Sequence, residues 1–281
     1  MRLTAPRASG ARVIGLTGSP GVGKSTVTGA LVRAWREAGL RVAVLAVDPT
    51  SPFSGGALLG DRVRMQDHAT DAGVFIRSMA SRGHLGGLAW AAPQALRILD
   101  AAGFDVIAVE TVGVGQAEVE IASLADSTLV ILAPGLGDSV QAAKAGILEI
   151  ADIFVVNKAD RPGAQEVVRD LRTMLAMAGQ PAAWKPPIVT TTAATGEGIG
   201  DLAARIDEHR IWLGESGELR RRRLARARNE ISAIAIGELR ARLGALPGEA
   251  SLEDLAASVV AGEIDPYSAA EVLLAAQPAG I

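Results

Sequence analysis

Cysteine is absent from this chain of 281 residues, and aromatic side chains make up only 3% of it. The first absence excludes disulfides, iron–sulfur clusters, thiolate metal sites and cysteine nucleophiles. The three histidines, His68, His84 and His209, are too scattered to indicate a transition-metal site. A net charge of −3 does not favour nucleic acid as a partner. No apolar run is long enough to span a bilayer and no signal-peptide core opens the chain, so we expect a cytoplasmic protein without a membrane partner.

Short apolar runs alternate with helix-like segments, which is typical of an α/β protein with a mostly parallel sheet and helices on both faces. We predict strands at Arg12–Thr17, Val42–Val47, Val74–Ser78, Asp105–Glu110, Ser127–Leu132, Ile153–Asn157 and Ile188–Thr192. Helices are predicted at Ser25–Ala38, Leu88–Ala102, Ser139–Ile150, Ala164–Ala178 and Ile199–Leu213. In such sheets ligands bind beyond the carboxyl ends of the strands, which is where the motifs below fall.

The character of the sequence changes after residue 214. A basic stretch, RRRRLARAR at 220–228, opens a helical segment that a Pro-Gly break interrupts at 247–248. We therefore predict a short N-terminal arm at 1–11, a nucleotide-binding domain at 12–214 and a C-terminal helical dimerisation segment at 215–281. The arginines at 220–223 are expected at a solvated helix end or facing an acidic partner.

Residues 18–25 read GSPGVGKS, a complete phosphate loop of the G-x-x-x-x-G-K-[ST] type. The loop follows a predicted strand and precedes a predicted helix, which is the context that this P-loop motif requires. Lys24 supplies a point charge for the β and γ phosphates, and the Ser25 hydroxyl can ligate Mg²⁺. The predicted nucleotide contacts in this region are Gly18, Ser19, Gly21, Val22, Gly23, Lys24, Ser25 and Thr26.

Acidic residues end two further predicted strands, Asp48 after the second and Glu110 in AVETVGVG at 108–115. Carboxylates at this edge reach magnesium, usually through a water. Glu110 and Gly113 occupy the places of the Asp-x-x-Gly switch of GTPases, so Gly113 can present its amide to the γ-phosphate. Val114 follows where Ras-like enzymes have a water-orienting glutamine, which predicts slow hydrolysis unless a partner helps.

Two aspartates have more than one interpretation. Asp48 is a candidate for positioning the attacking water as well as a magnesium neighbour. Asp61, in the glycine-rich segment at 49–62, is a further magnesium candidate, or it could cap a helix over Arg62–Asp67.

The tetrapeptide NKAD at 157–160 selects the base. Asp160 can accept from N1–H and from the exocyclic amino group of guanine, a pair of donors that adenine does not offer. Asn157 can tie neighbouring loops together, and the Lys158 stem can cover the base plane. A backbone amide of Thr192-Ala193-Ala194 can meet the guanine O6 atom. Together with the phosphate loop, NKAD predicts GTP and GDP as ligands and Mg²⁺ as the cofactor.

With these residues placed, the sequence resembles the MeaB/ArgK family, the GTPases associated with methylmalonyl-CoA mutase in the SIMIBI class of P-loop proteins. The resemblance is carried by GLTGSPGVGKST, AVDPTSPFSGGALLGDRVRM, ETVGVGQAE, VVNKAD and, near the end, VVAGEIDPYSAAEVLL. It implies a homodimeric, magnesium-dependent GTPase that docks on an adenosylcobalamin-dependent acyl-CoA mutase, gates cofactor loading and protects the mutase. It also implies a segment at 135–146 that couples nucleotide to mutase, with Asp138, Gln141 and Lys144 in the matching places.

Several alternatives stay open at this point. Taken without the resemblance, Asp138, Gln141 and Lys144 fit an ordinary solvated helix face. The short N-terminal arm departs from the family, as does a basic C-terminal helix without tryptophan, so another acyl-CoA mutase could be the one served. A metabolite kinase could use the same phosphate loop with ATP, although NKAD favours guanine. The chain could also be another SIMIBI GTPase that serves a different protein partner. A nickel-insertion GTPase is disfavoured, because it would need cysteine and histidine ligands that this sequence does not provide.

Overall fold

The structure is a computed structural model that describes residues 10–48, 68, 70–80, 91–111, 117–135, 148–177, 183–243 and 251–275. The chain divides into two compact units, Met1–Arg223 and Leu224–Ile281. Among the described residues, no helix is both long and apolar enough to cross a membrane.

The first unit is built on a seven-stranded sheet in which each pair of neighbouring strands is parallel. Its strands are β1 (Arg12–Thr17), β2 (Val42–Asp48), β3 (Val74–Ala80), β4 (Val106–Thr111), β5 (Ser127–Leu132), β6 (Ile153–Asn157) and β7 (Ile188–Thr191). Their spatial order is β3-β2-β4-β1-β5-β6-β7. The predicted α/β class with a parallel sheet is confirmed.

The helices are, in chain order, α1 (Lys24–Glu37), α2 (Ala92–Ala101), α3 (Ala117–Leu124), α4 (Leu148–Ile150), α5 (Ala164–Met177), α6 (Ile199–Glu215), α7 (Glu218–Leu243), α8 (Leu252–Val260) and α9 (Pro266–Ala275). Most predicted bounds agree to within two residues. The helix predicted from residue 88 is described only from Ala92, with Pro93 in its first turn, where the missing N–H costs nothing. Of the helix predicted at Ser139–Ile150, only Leu148–Ile150 lies within the described residues.

Successive side chains of a strand point to opposite faces of the sheet, and helices pack on both faces. In β1, Ile14 and Leu16 join a core with α1 and α6. Val13 points the other way, into a core with α2 and α3. Further along the sheet, Phe154 packs against α5. The strands are buried on both faces, which is why they read as nearly continuous apolar runs.

In the second unit, α8 and α9 contact each other, and Leu255 and Ala269 are buried. The Ser251 hydroxyl caps α8 by accepting a hydrogen bond from the Asp254 amide at 3.1 Å. Apolar side chains in this unit that face solvent include Leu224, Ile231, Ile234, Ile236, Leu239, Leu252, Val260, Tyr267, Val272 and Leu274.

Two buried aspartates precede β5 and β6, at the amino ends of the strands, and both bind arginines from α7. Asp126 accepts from the Val13 amide at 3.1 Å and from Arg223 Nη2 at 2.8 Å. Asp152 accepts from the Thr128 amide at 2.8 Å and from both terminal nitrogens of Arg222 at 2.8 and 2.9 Å. The arginine run is therefore not simply solvated, because Arg222 and Arg223, in the second turn of α7, bind buried carboxylates at the edge of the sheet.

His209, which is fully buried on α6, completes this cluster. Its Nδ1 atom lies 2.7 Å from Ser127 Oγ, and Nε2 lies 3.3 Å from Asp152 Oδ1 in a contact without hydrogen-bond geometry. Trp184 and Trp212 pack against the imidazole, with ring centroids 4.7 and 5.5 Å away. Burial raises the pKa of the Asp152 carboxyl, but His209 and Arg222 outweigh burial and hold that pKa below its usual value.

Replacing Arg222 by alanine is expected to lower the free energy of unfolding by about 3 kcal/mol, since it leaves the Asp152 carboxylate buried without its main partner. Urea denaturation of the full chain measures the loss. Arg221→Ala is the matched control, because the Arg221 side chain is 80% exposed and pairs with Glu218 on its own helix. Equal losses in the two variants would contradict a specific role for the Arg222–Asp152 pair.

Candidate nucleotide site

The loop between β1 and α1 takes its shape from glycines at its two ends. Gly18 has a φ of 142°, and a Cβ added there would collide with the Ile131 carbonyl of β5. Gly23 has a φ of 93°, and a Cβ there would collide with the Asn157 amide. Both the backbone conformation and the close approach require glycine at these places. The loop is consequently packed against the sheet and against NKAD.

Lys24 opens α1 and is buried, with its ammonium turned back over the loop. The Nζ atom donates to the Gly18 carbonyl at 2.8 Å and to the Ser19 carbonyl at 3.1 Å. The N-cap residue of α1 is Gly23, which has no side chain to cap the helix. Helix N-termini favour anions, and Lys24 adds a full positive charge at this one.

Ser25 and Glu110, two of the predicted magnesium ligands, lie together at the carboxyl edge of the sheet. Glu110 sits in β4, is 4% exposed, and its Oε1 atom accepts from Ser25 Oγ at 2.6 Å. A hydroxyl and a carboxylate are the hard oxygen ligands that suit Mg²⁺, which takes few protein ligands and completes its shell with phosphates and waters. Among the described residues, no group of three or more histidine, aspartate or glutamate side chains is arranged so that it could hold a metal ion.

Of the other predicted magnesium and switch residues, only Asp48 lies within the described residues. Asp48 is the last residue of β2, and Val47 before it lies opposite Thr111 of β4, so Asp48 ends its strand beside the switch strand. Its side chain is not among those described. Outside the described residues lie Asp61, Gly113, Val114, Asp138, Gln141 and Lys144.

Asn157, at the end of β6, joins three segments through its side-chain amide. The Nδ2 atom donates to the Val22 carbonyl at 2.9 Å, while Oδ1 accepts from Thr191 Oγ1 at 3.2 Å and from the Ala193 amide at 3.1 Å. Asn157 is 3% exposed, so these bonds are shielded from water. The base-recognition segment is thereby fixed to the phosphate loop.

Lys158 adds a second link between the same segments. Its backbone has a φ of 58°, and its Nζ atom donates to the Gly21 carbonyl at 2.6 Å. The turn that follows closes with the Arg161 amide donating to the Lys158 carbonyl at 3.0 Å, and it leaves Asp160 exposed. An exposed carboxylate beside an extended lysine stem can accept from the edge of a purine ring.

The loop after β7 narrows the choice of amide for the guanine O6 atom. β7 ends at Thr191, one residue earlier than predicted, because Thr192 turns away to bridge Glu197. The Thr192 amide donates to the Glu197 carbonyl at 3.0 Å, and the Ala193 amide donates to Asn157. Thr192, Ala193 and Ala194 all lie within the described residues. Of these three, the exposed Ala194 is the one whose amide has no hydrogen-bond partner there.

Sequence reasoning missed two buried threonines that hold these residues. Thr28 contacts Glu110, and Thr191 contacts Asn157. The position of Thr28, four residues after Lys24 on a predicted helix, places it on the same face as the lysine and was the one available signal. Nothing local distinguishes Thr191 from any other strand threonine.

Several known proteins are similar to this chain over most of its length. The family model described as "Methylmalonyl Co-A mutase-associated GTPase MeaB" matches residues 1–247. A Pyrococcus horikoshii relative that carries a GTPase name is 51% identical over 272 residues, which is 96% of this chain and 85% of the relative. The GTPase ArgK of Escherichia coli is 40% identical over 210 residues, covering 73% of this chain and 63% of its own length.

Among solved structures, the crystal structure of a LAO/AO transport system kinase matches with a TM-score of 0.70 and 26% identity, covering 98% of this chain and 84% of that one. The family match extends over far more than half of the chain, and relatives above 30% identity carry GTPase names. The chain therefore belongs to the MeaB family of GTPases.

Proposed function

We propose that this GTPase is a chaperone for an adenosylcobalamin-dependent acyl-CoA mutase, either methylmalonyl-CoA mutase or a related enzyme. In this role it gates cofactor loading and protects the mutase. The observation that carries the proposal is the family match over residues 1–247, because the family is named for its association with methylmalonyl-CoA mutase. Asp138, Gln141 and Lys144 are proposed to couple nucleotide to mutase.

We assign the nucleotide contacts to the residues that the phosphate-loop, switch and NKAD motifs predict. The phosphates are assigned to residues 18–26 and the Gly113 amide, and guanine is assigned to Asn157, Lys158, Asp160 and the loop 192–194. Mg²⁺ would be held by Ser25 and Glu110, with Asp48 and Asp61 as further candidates. When bound, the metal supplies charge neutralisation at the β and γ phosphates.

Catalysis is assigned to Lys24, Asp48 and Glu110. Lys24 stabilises negative charge on the phosphates, and its own hydrogen bonds to the Gly18 and Ser19 carbonyls hold it at the site before nucleotide binds. Glu110 holds the Ser25 hydroxyl, and Asp48 is the candidate for orienting the attacking water. Val114 has no group that could do so, and slow hydrolysis that a partner accelerates suits a timing role better than phosphate donation.

A homodimer formed through the helical segment at 215–281 belongs to the same proposal. Its support is the solvent-facing apolar side chains of α7, namely Leu224, Ile231, Ile236 and Leu239, which a second copy would remove from water. A cytoplasmic location is part of the proposal, and it rests on a sequence without a membrane-length apolar run or a signal-peptide core.

Adding the cognate mutase is expected to raise GTP turnover by at least about tenfold, because a docked partner can complete the positioning of the attacking water. Phosphate release is measured as a function of mutase concentration, with a cobalamin-dependent enzyme of another class as the control. Absence of both binding and stimulation by any acyl-CoA mutase would contradict the chaperone role while leaving the GTPase intact.

A metabolite kinase is the second candidate, because the solved relative with the TM-score of 0.70 is named as a transport system kinase. That activity would require ATP preference and transfer of the γ-phosphate to a small acceptor. Competition of ATP against labelled GTP distinguishes the two, since a guanine-selective site rejects ATP.

A further inference from the structure

Glu110 is a buried carboxylate that two hydroxyls of α1 hold at once. Ser25 Oγ donates to Oε1 at 2.6 Å, and Thr28 Oγ1 donates to Oε2 at 3.1 Å. Ser25 and Thr28 stand three residues apart and so share one face of the helix. Thr28 is fully buried, and Glu110 is 4% exposed, so water does not compete for either oxygen.

The Thr28 hydroxyl also lies 3.0 Å from the Lys24 carbonyl, four residues earlier in α1. Bonding back to that carbonyl is the ordinary behaviour of threonine in a helix. A hydroxyl has a single proton, so the two acceptors share it. The Thr28 side chain is thus held by the helix that carries Lys24 and Ser25, while it also contacts the strand that carries Glu110.

We infer that Thr28 is a positioning residue of the magnesium site, an inference that rests on the assignment of Mg²⁺ to Ser25 and Glu110. By holding Oε2, Thr28 fixes the plane of the carboxylate and aims Oε1 at Ser25. The Ser25 proton is then committed to Glu110, and the lone pairs of the Ser25 oxygen are left for the metal. Without the Thr28 hydroxyl, Oε2 loses this hydrogen bond, and the carboxylate holds the Ser25 hydroxyl less firmly in one direction.

The test compares Thr28→Val, which removes the hydroxyl at nearly constant shape, with Thr28→Ser, which keeps the hydroxyl and removes a methyl group. Affinity for a fluorescent GDP is measured at increasing Mg²⁺ concentrations and again in EDTA. The Mg²⁺ concentration at half-maximal effect is expected to rise about tenfold in Thr28→Val, which is the scale of one lost hydrogen bond to a charged group. Thr28→Ser should stay near the wild-type value, and GDP affinity in EDTA should be the same for all three proteins.

Three results would overturn the inference. One is an unchanged Mg²⁺ midpoint in Thr28→Val, and another is an equal shift in Thr28→Ser, since that would indicate packing rather than the hydroxyl. Weaker GDP binding of Thr28→Val in EDTA would likewise indicate a general loss of structure. If Thr28→Val does not fold, Thr28→Ala replaces it, with the same serine comparison.

The proposed function fails in a different way. GDP binding by the wild-type protein that does not depend on Mg²⁺ would overturn the metal assignment and the Thr28 inference together. A normal wild-type Mg²⁺ dependence without a shift in Thr28→Val overturns the Thr28 inference alone.

Discussion

Lys24→Ala is expected to lower GTP turnover by at least about a hundredfold, the scale of losing one preorganised group that stabilises transition-state charge. Lys24 is the one cation in GSPGVGKS, and its Nζ atom already donates to the Gly18 and Ser19 carbonyls of the loop. Alanine keeps the helix, because it is the strongest helix former, and removes only the charge and its stem. The measurement is the kcat for phosphate release at saturating GTP and Mg²⁺.

Lys185→Ala is the matched control, because Lys185 is exposed and lies in the segment before β7, outside the site. Its turnover should equal that of the wild-type protein. Thermal denaturation of both variants checks that the chain is folded, since Lys24 also donates two hydrogen bonds within its loop. Normal turnover by a folded Lys24→Ala protein would contradict the assignment of the phosphate site.

The parts of the site that could be predicted are those encoded by neighbours in the sequence. A phosphate loop needs its glycines, lysine and serine within eight consecutive positions, and NKAD needs only four. The strands are equally local, because burial on both faces makes each one a continuous apolar run.

The parts that could not be predicted depend on contacts between distant positions. Thr28 and Glu110 are 82 residues apart, and Arg222 and Asp152 are 70 residues apart. A run of arginines has the same composition whether it faces solvent or binds a buried carboxylate, so its charge pattern could not distinguish the two. Only packing decides, since a buried aspartate at a strand start requires a partner that the local sequence does not contain.

The predicted end of β7, at Thr192, was one residue too late for a related reason. Thr192 ends a run of five β-branched residues at 188–192, so propensity favours a longer strand. In the structure its amide closes a turn with Glu197 instead, and the amide next to it serves Asn157. These tertiary hydrogen bonds override local preference, and they make the Ala194 amide the proposed donor to the guanine O6 atom.

Asp160→Asn is expected to weaken GTP binding by about a hundredfold, because it breaks a bidentate pairing of one carboxylate with two donors of guanine. The carboxylate of aspartate has two acceptor oxygens, whereas the amide of asparagine has one acceptor and one donor. In the variant, the amide NH₂ therefore faces the exocyclic amino group of guanine, and two donors cannot form a hydrogen bond with each other. Xanthine carries a carbonyl at that position, so the same variant should bind the xanthosine nucleotide more tightly than the wild-type protein does. Affinities for the guanosine, xanthosine and adenosine triphosphates are measured side by side.

Asp170→Asn on α5 makes the same chemical change away from the site and should leave all three affinities unchanged. Weaker GTP binding together with tighter binding of the xanthosine nucleotide is the diagnostic result, because misfolding would lower the affinity for both nucleotides. Unaltered GTP affinity in Asp160→Asn would remove Asp160 from the base contact. Tighter binding of ATP than of GTP by the wild-type protein would contradict guanine recognition by NKAD as a whole and would favour the metabolite kinase.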